Sequence, residues 1–226
     1  MNLGDLVFLA RTRLRDKVHP HLWSTDELVD FANAAVDEAA ERSRLISTAV
    51  PLAIVSGTTI YKIPYQVLAA QNATFVDTDS GQITPVVAVS EQELWALQRI
   101  APLATGRPQA FARGKDVNTI ELYPMPDLLG VGALTVAIKR MPTEDERMLT
   151  MQDEPAIPSD FHRDLVYWML YEAFSIPDSD LLNVGASEKA ESRFDLRFGR
   201  RLSAKAEALS RRVLVGESMY PRRFGG

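Results

Sequence analysis

Few side chains in this sequence have the type and spacing for chemistry. His19-Pro20-His21 is the one close histidine pair, and His162 is the remaining histidine among 226 residues. Two imidazoles in so tight a loop, with Asp16 or Asp26 beside them, offer donors of the kind that bind zinc. A third ligand at a fixed spacing is missing, so an inter-helix turn with polar histidines is the better reading. Ser159, Asp160 and His162 contain the residue types of a hydrolytic triad. They crowd one helix start, and the chain has no Gly-x-Ser-x-Gly elbow, so Ser159 is expected to cap a helix instead. Phosphate-cradling glycine patterns are absent as well. Glu144-Asp145-Glu146 lacks calcium-loop spacing and reads as a solvated linker. Phe161, Trp168 and Tyr171 could stack nucleic-acid bases. Their spacing on one helix suits core packing better. Without cysteine there is no disulfide, thiolate zinc site or thiol nucleophile. No enzyme, metal or cofactor is expected.

Charge is more telling than any motif. The chain carries a formal −5 at neutral pH, which argues against a general nucleic-acid coat. From Arg200 to Gly226 there are seven basic residues and only Glu207 and Glu217 as acids, so that end is +5 and the rest is −10. Val213, Leu214, Val215, Tyr220 and Phe224 are interleaved with Arg211, Arg212, Arg222 and Arg223, and Pro221 stiffens the run. Apolar anchors among arginines suit a segment that orders on a partner protein. Contact of the arginines with nucleic-acid phosphates is the rival use. No uncharged apolar run approaches the ~20 residues of a membrane-spanning helix, and the N-terminus lacks the apolar core of a signal peptide.

Elements at both ends of the chain must position these groups. Leu3, Leu6, Val7, Ala10 and Leu14 recur at helical spacing behind Asn2, with Asp5 at the third helical position. Pro20 stops that helix from reaching Val18-His19. Ser24 and Glu27 form a capping box ahead of Leu28, Phe31, Ala32, Ala35 and Ala39, with Leu22 or Trp23 as the staple. Beyond Thr48 the period changes to two. Strand-type runs are Val50 to Ile54, Thr59 to Ile63, Ala73 to Val76, Ile83 to Val89, Gln109 to Arg113, Asn118 to Tyr123 and Leu134 to Ile138. Ser90 and Glu93 cap one short helix among them. No helix of crossover length is expected between strands, so the module is antiparallel. After the prolines of 142–158, helical spacing returns at Phe161, Leu165, Trp168 and Met169. It resumes from Ala186 through Ala190, Phe194, Phe198, Leu202 and Leu209, with Gly199 as a possible bend.

The expected fold is α+β. Residues 1–47 form a helical hairpin, and 48–141 an inserted antiparallel sandwich or barrel-like module with a short helix near 91–99. Residues 142–158 are a linker, 159–210 return to the helical bundle, and 211–226 are an extended basic tail.

This order of parts resembles the head-to-tail adaptor (connector, or neck) proteins of tailed bacteriophages, particularly the short-tailed ones. The likeness rests on "HPHLWSTDELVDFANAAVDEAAERSRLI" at 19–46, on "SGTTIYKIP" at 56–64 with "IELYPMPD" at 120–127, and on "EPAIPSDFHRDLVYWMLYEAFSIPDSD" at 154–180. It implies a structural homo-oligomeric ring, usually of twelve copies, in the virion neck. There it would dock on the portal and on tail or nozzle proteins, after a host-cytoplasmic stage during assembly. DNA would pass through its lumen without specific binding, and no membrane would be involved. The residues expected at the portal are Arg211, Arg212, Val213, Leu214, Val215, Tyr220, Pro221, Arg222, Arg223 and Phe224. The alternative is a nucleic-acid-binding or other assembly module working through the same tail.

Overall fold

The computed structural model describes residues 1–177 and 182–201. The described chain divides into two compact units, a helical one from Met1–Ile46 with residues 140–201, and a β unit from Ser47–Lys139.

The helical unit opens with α1 (Leu3–Leu14), whose Asn2 and Asp5 exchange side-chain and backbone hydrogen bonds in a capping box. Arg15, left-handed at φ 61°, ends it. Asp16 is buried in the turn that follows, where its carboxylate accepts from the Leu22 and Trp23 N–H groups and from Arg11. The chain then enters α2 (Thr25–Ser43) through the Ser24–Glu27 capping box. Trp23 is buried and Leu22 exposed, so Trp23 is the apolar residue that packs ahead of Leu28. Ala32, Ala35, Ala39 and Ala40 are fully buried on α2, and side chains this small let neighbouring helices approach closely.

The stretch expected as a linker is a packed strap. The Asn33 amide donates to the Met148 carbonyl and its oxygen accepts from the Met148 N–H. The Leu3 and Gly4 N–H groups donate to Asp153 and Met151 carbonyls. These are first-turn donors of α1 with no partner inside the helix, so the strap completes the helix it crosses. Met148 and Ile157 are buried in the core, and both guanidinium Nη atoms of Arg140 reach the Glu146 carboxylate at 2.6 Å.

Three-ten turns over Ser159–Leu165 run straight into α4 (Val166–Ser175). Ser159 is therefore not a cap: Pro158 precedes the turns, and neither start carries a side-chain cap. Tight i→i+3 bonding supplies partners there instead. Asn183 caps α5 (Val184–Phe198) by accepting from the Ala186 N–H. At Gly199, where the sequence suggested a bend, a φ of 86° takes the backbone out of α5. Leu202 and Leu209 lie outside the described residues. α4 is packed by α1, α2 and α5, which puts the N-terminal helix pair on the C-terminal pair, as expected.

The β unit is one seven-stranded sheet, curled into a nearly closed barrel-like form. Its strands are β1 (Ser47–Ile54), β2 (Ile60–Lys62), β3 (Val67–Asp77), β4 (Ile83–Ala88), β5 (Ala110–Arg113), β6 (Thr119–Tyr123) and β7 (Gly132–Arg140), in the order β1-β7-β3-β4-β5-β6-β2. Period-two burial places Leu134, Val136 and Ile138 of β7 inside with Phe75, Phe111, Ile120 and Leu122. A Cβ at Gly132 would run into the Val76 carbonyl oxygen and the Phe75 ring, so glycine is required where β7 passes β3. The strands are not all antiparallel: β4 and β5 pair in parallel, Val87 opposite Ala110. A parallel pair needs a long crossover. The stretch containing α3 (Glu91–Ile100), capped by Ser90 and Glu93, supplies it.

Candidate assembly surfaces

The residues singled out for chemistry do not converge. The rings of His19 and His21 lie 4.1 Å apart, and His21 Nδ1 is 3.4 Å from Asp16. That carboxylate is already engaged by Arg11 and two backbone N–H groups, and no metal-holding group of three such side chains occurs among the described residues. His162 is buried with Nδ1 2.9 Å from the Met1 carbonyl and Nε2 2.8 Å from that of Ile157. It ties the chain start to the strap, while Ser159 and Asp160 lie exposed. Trp168 stacks with Tyr171 and Phe194, and Phe161 with Phe198, so the aromatic series is core, as its spacing suggested.

The residues expected at the portal, Arg211 to Val215 and Tyr220 to Phe224, lie outside the described residues. The structure does show where the basic end departs. Arg42 of α2 is the pivot, its side chain 2% exposed. Nε donates to Glu38 at 2.7 Å, and Nη1 to Asp195 of α5 at 2.6 Å and to the Gly199 carbonyl at 3.2 Å. The guanidinium carbon lies 4.9 Å from the Trp168 ring centroid and 5.1 Å from that of Phe194, so aromatic faces flank the charge. Ser43 donates to the Phe198 carbonyl at 2.8 Å, giving a partner to a terminal acceptor of α5.

Beyond this clamp, Arg200 and Arg201 make looser contacts with Asp195, Glu38 and Glu41 at 3.7 to 3.8 Å. Exposed pairs of this kind add little. Burial, reinforced by the Glu38 charge, pushes the nearby Glu172 carboxyl above its ordinary value despite a hydrogen bond with Trp168. Sequence reasoning missed Arg42. The Glu38–Arg42 spacing of four marks a helical ion pair, but nothing local announces Asp195 on another helix.

A second surface lies at one end of the β unit, where three loops are bonded together. Gly57 donates to the Pro126 carbonyl at 2.7 Å, Gly106 to Met125 at 3.0 Å, and Met125 to Ala104 at 3.1 Å. Val55, Leu103, Met125 and Leu128 stand exposed on these loops. A cluster of exposed apolar tips on an ordered framework suits contact with another protein.

A family model described as the SU10 adaptor protein matches residues 1–216. The chain belongs to that family. The match bears out the resemblance to head-to-tail adaptors and covers the whole of the described structure, both units included. Among solved structures, this SU10-family chain is similar to one from the neck of an empty gene transfer agent particle computed with C6 symmetry. That pair is 16% identical over 90% of this chain and 94% of the other, with a TM-score of 0.29. It is also similar to a chain in the neck of the native particle computed with C12 symmetry, at 16% identity, 90% and 94% coverage and a TM-score of 0.26. A third, from the virion of the native gene transfer agent particle, gives 16%, 89%, 93% and 0.30. No curated protein matches the chain. Family membership rests on the family model.

Proposed function

We propose that this SU10-family chain is one subunit of a head-to-tail adaptor ring in a phage virion neck. The ring docks on the portal, holds tail components on its far side and leaves a channel for DNA. Its work is mechanical, and twelve copies are the expected number. The match over residues 1–216 carries the reading. The charge layout supports it: a body at −10 facing the duplex repels phosphate and lets DNA slide, while the +5 end is free to bind elsewhere.

The fastener is the segment from Arg211 to Gly226. The described chain leads toward it from an α5 end that Arg42 and Ser43 hold against α2. Each anchor contributes about 1 kcal/mol or more, and repetition around a ring multiplies the effect. Deleting residues 211–226 is expected to abolish binding to the purified portal in a pull-down while circular dichroism of the body stays unchanged. Undiminished attachment refutes the fastener. Duplex DNA retention that collapses with rising salt would assign the tail to nucleic acid instead.

A further inference from the structure

A closed ring built from one kind of subunit uses head-to-tail contacts, so each copy must present two different faces that fit one another. The helical unit carries such a pair. Arg13 near the end of α1 and Arg193 on α5 converge on Tyr167 of α4, their guanidinium carbons 4.7 and 5.5 Å from its ring centroid. Nη1 of Arg13 is buried without a hydrogen-bond partner. Neither arginine has a carboxylate within ion-pair distance among the described residues, whereas Arg11, Arg42, Arg147 and Arg197 each do. Two like charges share one aromatic ring, one of them partly withdrawn from water, and an incoming carboxylate would relieve both costs. A hydrogen bond from Arg13 and the charges of both arginines hold the Tyr167 phenol below its ordinary value, against the effect of burial.

The complementary face is on α2. At 100° per residue, Asp26, Asp30, Asp37 and Glu41 fall within an arc of about 60°. Arg147 engages Asp37 and Arg201 approaches Glu41. Asp26 and Asp30 are exposed, with no cation in ion-pair distance among the described residues. α2 packs on α4 and touches both α1 and α5, so the arginine–tyrosine cluster occupies the side of α4 that α2 leaves open. The two faces are built from different helices, α1, α4 and α5 on one and α2 on the other, as the unlike halves of a head-to-tail contact require.

We infer that Arg13, Tyr167 and Arg193 of one copy receive Asp26 and Asp30 of the next, making this pairing a subunit contact of the adaptor ring. The inference rests on the ring reading above and adds to it the residues that join neighbours. A second copy is the fitting occupant because exposed carboxylates with no cation in ion-pair distance among the described residues stand on another helix of the same chain. An acidic body, by contrast, disfavours a nucleic-acid phosphate there.

The test uses the full-length chain with and without purified portal, followed by sedimentation velocity and negative-stain electron microscopy. Arg193→Glu and Asp30→Arg, both at exposed helix positions, should each raise the concentration needed for ring formation about tenfold or more. The combined variant should recover most of the loss, because the charges are exchanged across the same contact. Circular dichroism should match the parent in all three. Wild-type assembly by Arg193→Glu overturns the inference, and so does a combined variant no better than the singles. Normal rings that retain less duplex DNA would also overturn it, by giving the arginines to nucleic acid. A parent chain that forms no ring even on the portal would refute the ring reading itself.

Discussion

The helical unit and the β unit are held together by different forces. In the helical unit, charged groups tie distant segments across an alanine- and aromatic-rich core: Arg42 joins α2 to α5, Arg147 joins the strap to α2, and Arg197 meets Asp164. The β unit relies chiefly on ladder hydrogen bonds around an interior of Phe75, Phe111, Ile120, Leu122, Leu134, Val136 and Ile138, with Arg107 pairing the buried Asp77 at 2.7 Å near its edge. An apolar interior loses stability when volume is removed. A unit clamped by buried ions is vulnerable to loss of one partner and to acid.

Hydrogen exchange read by mass spectrometry resolves the two units and can break this contrast. The largest effect is expected from Phe75→Ala, which empties a fully buried ring site in the sheet and should cost about 4 kcal/mol. Protection should fall in Ser47–Lys139 and stay as in the parent within α1, α2, α4 and α5. An equal loss in both units would erase the distinction.

Arg42→Met comes next. It keeps the apolar stem and leaves Glu38 and Asp195 only the looser Arg201 and Arg200 contacts, at a cost of about 3 kcal/mol, with exchange rising in α2 and α5 while the sheet is unmoved. Parent-like protection of α5 would mean that packing alone holds it.

The smallest effect is a pH dependence within the helical unit. Hydrogen bonds from Arg140, against the effect of burial, hold the Glu146 carboxyl down from 4.5 to about 2. Because the folded value is depressed, the stability it contributes is complete above the ordinary value and is lost as pH falls through about 2. The carboxylate is a third exposed, so screening limits this to about 1 kcal/mol. Urea midpoints for Glu146→Gln should lie below the parent at pH 6 and converge with it near pH 2. A constant gap would remove the ion pair from the explanation.

Much of this architecture is written locally. Three capping boxes, at Asn2, Ser24 and Ser90, mark three helix starts, and period-two runs mark all seven strands. What escaped the sequence depends on remote partners. The first half of β3, with Ala69-Ala70-Gln71-Asn72, has neither strand-favouring residues nor a buried alternation. The parallel pairing of β4 with β5 leaves no trace in either strand. The strap from Thr143 to Pro158 is anchored through backbone groups, the Asn33 amide, the Arg147–Asp37 pair and the isolated Met148 and Ile157, none of which makes a periodic pattern. Of the candidate contact faces, the exposed carboxylates of α2 could be seen by helical spacing. The meeting of Arg13 with Arg193 could not, since it needs three helices in place.

The junction of the two units has a consequence for ancestry. The chain departs from the helical unit after Ile46 and rejoins it at Arg140, whose N–H donates to the Ile46 carbonyl at 3.1 Å. Within the helical unit, the two ends of the excursion are hydrogen-bonded neighbours. A cassette of another size or fold could be exchanged at that doorway over evolutionary time with the four helices left as they are, because closing a longer excursion adds only slowly to its entropic cost.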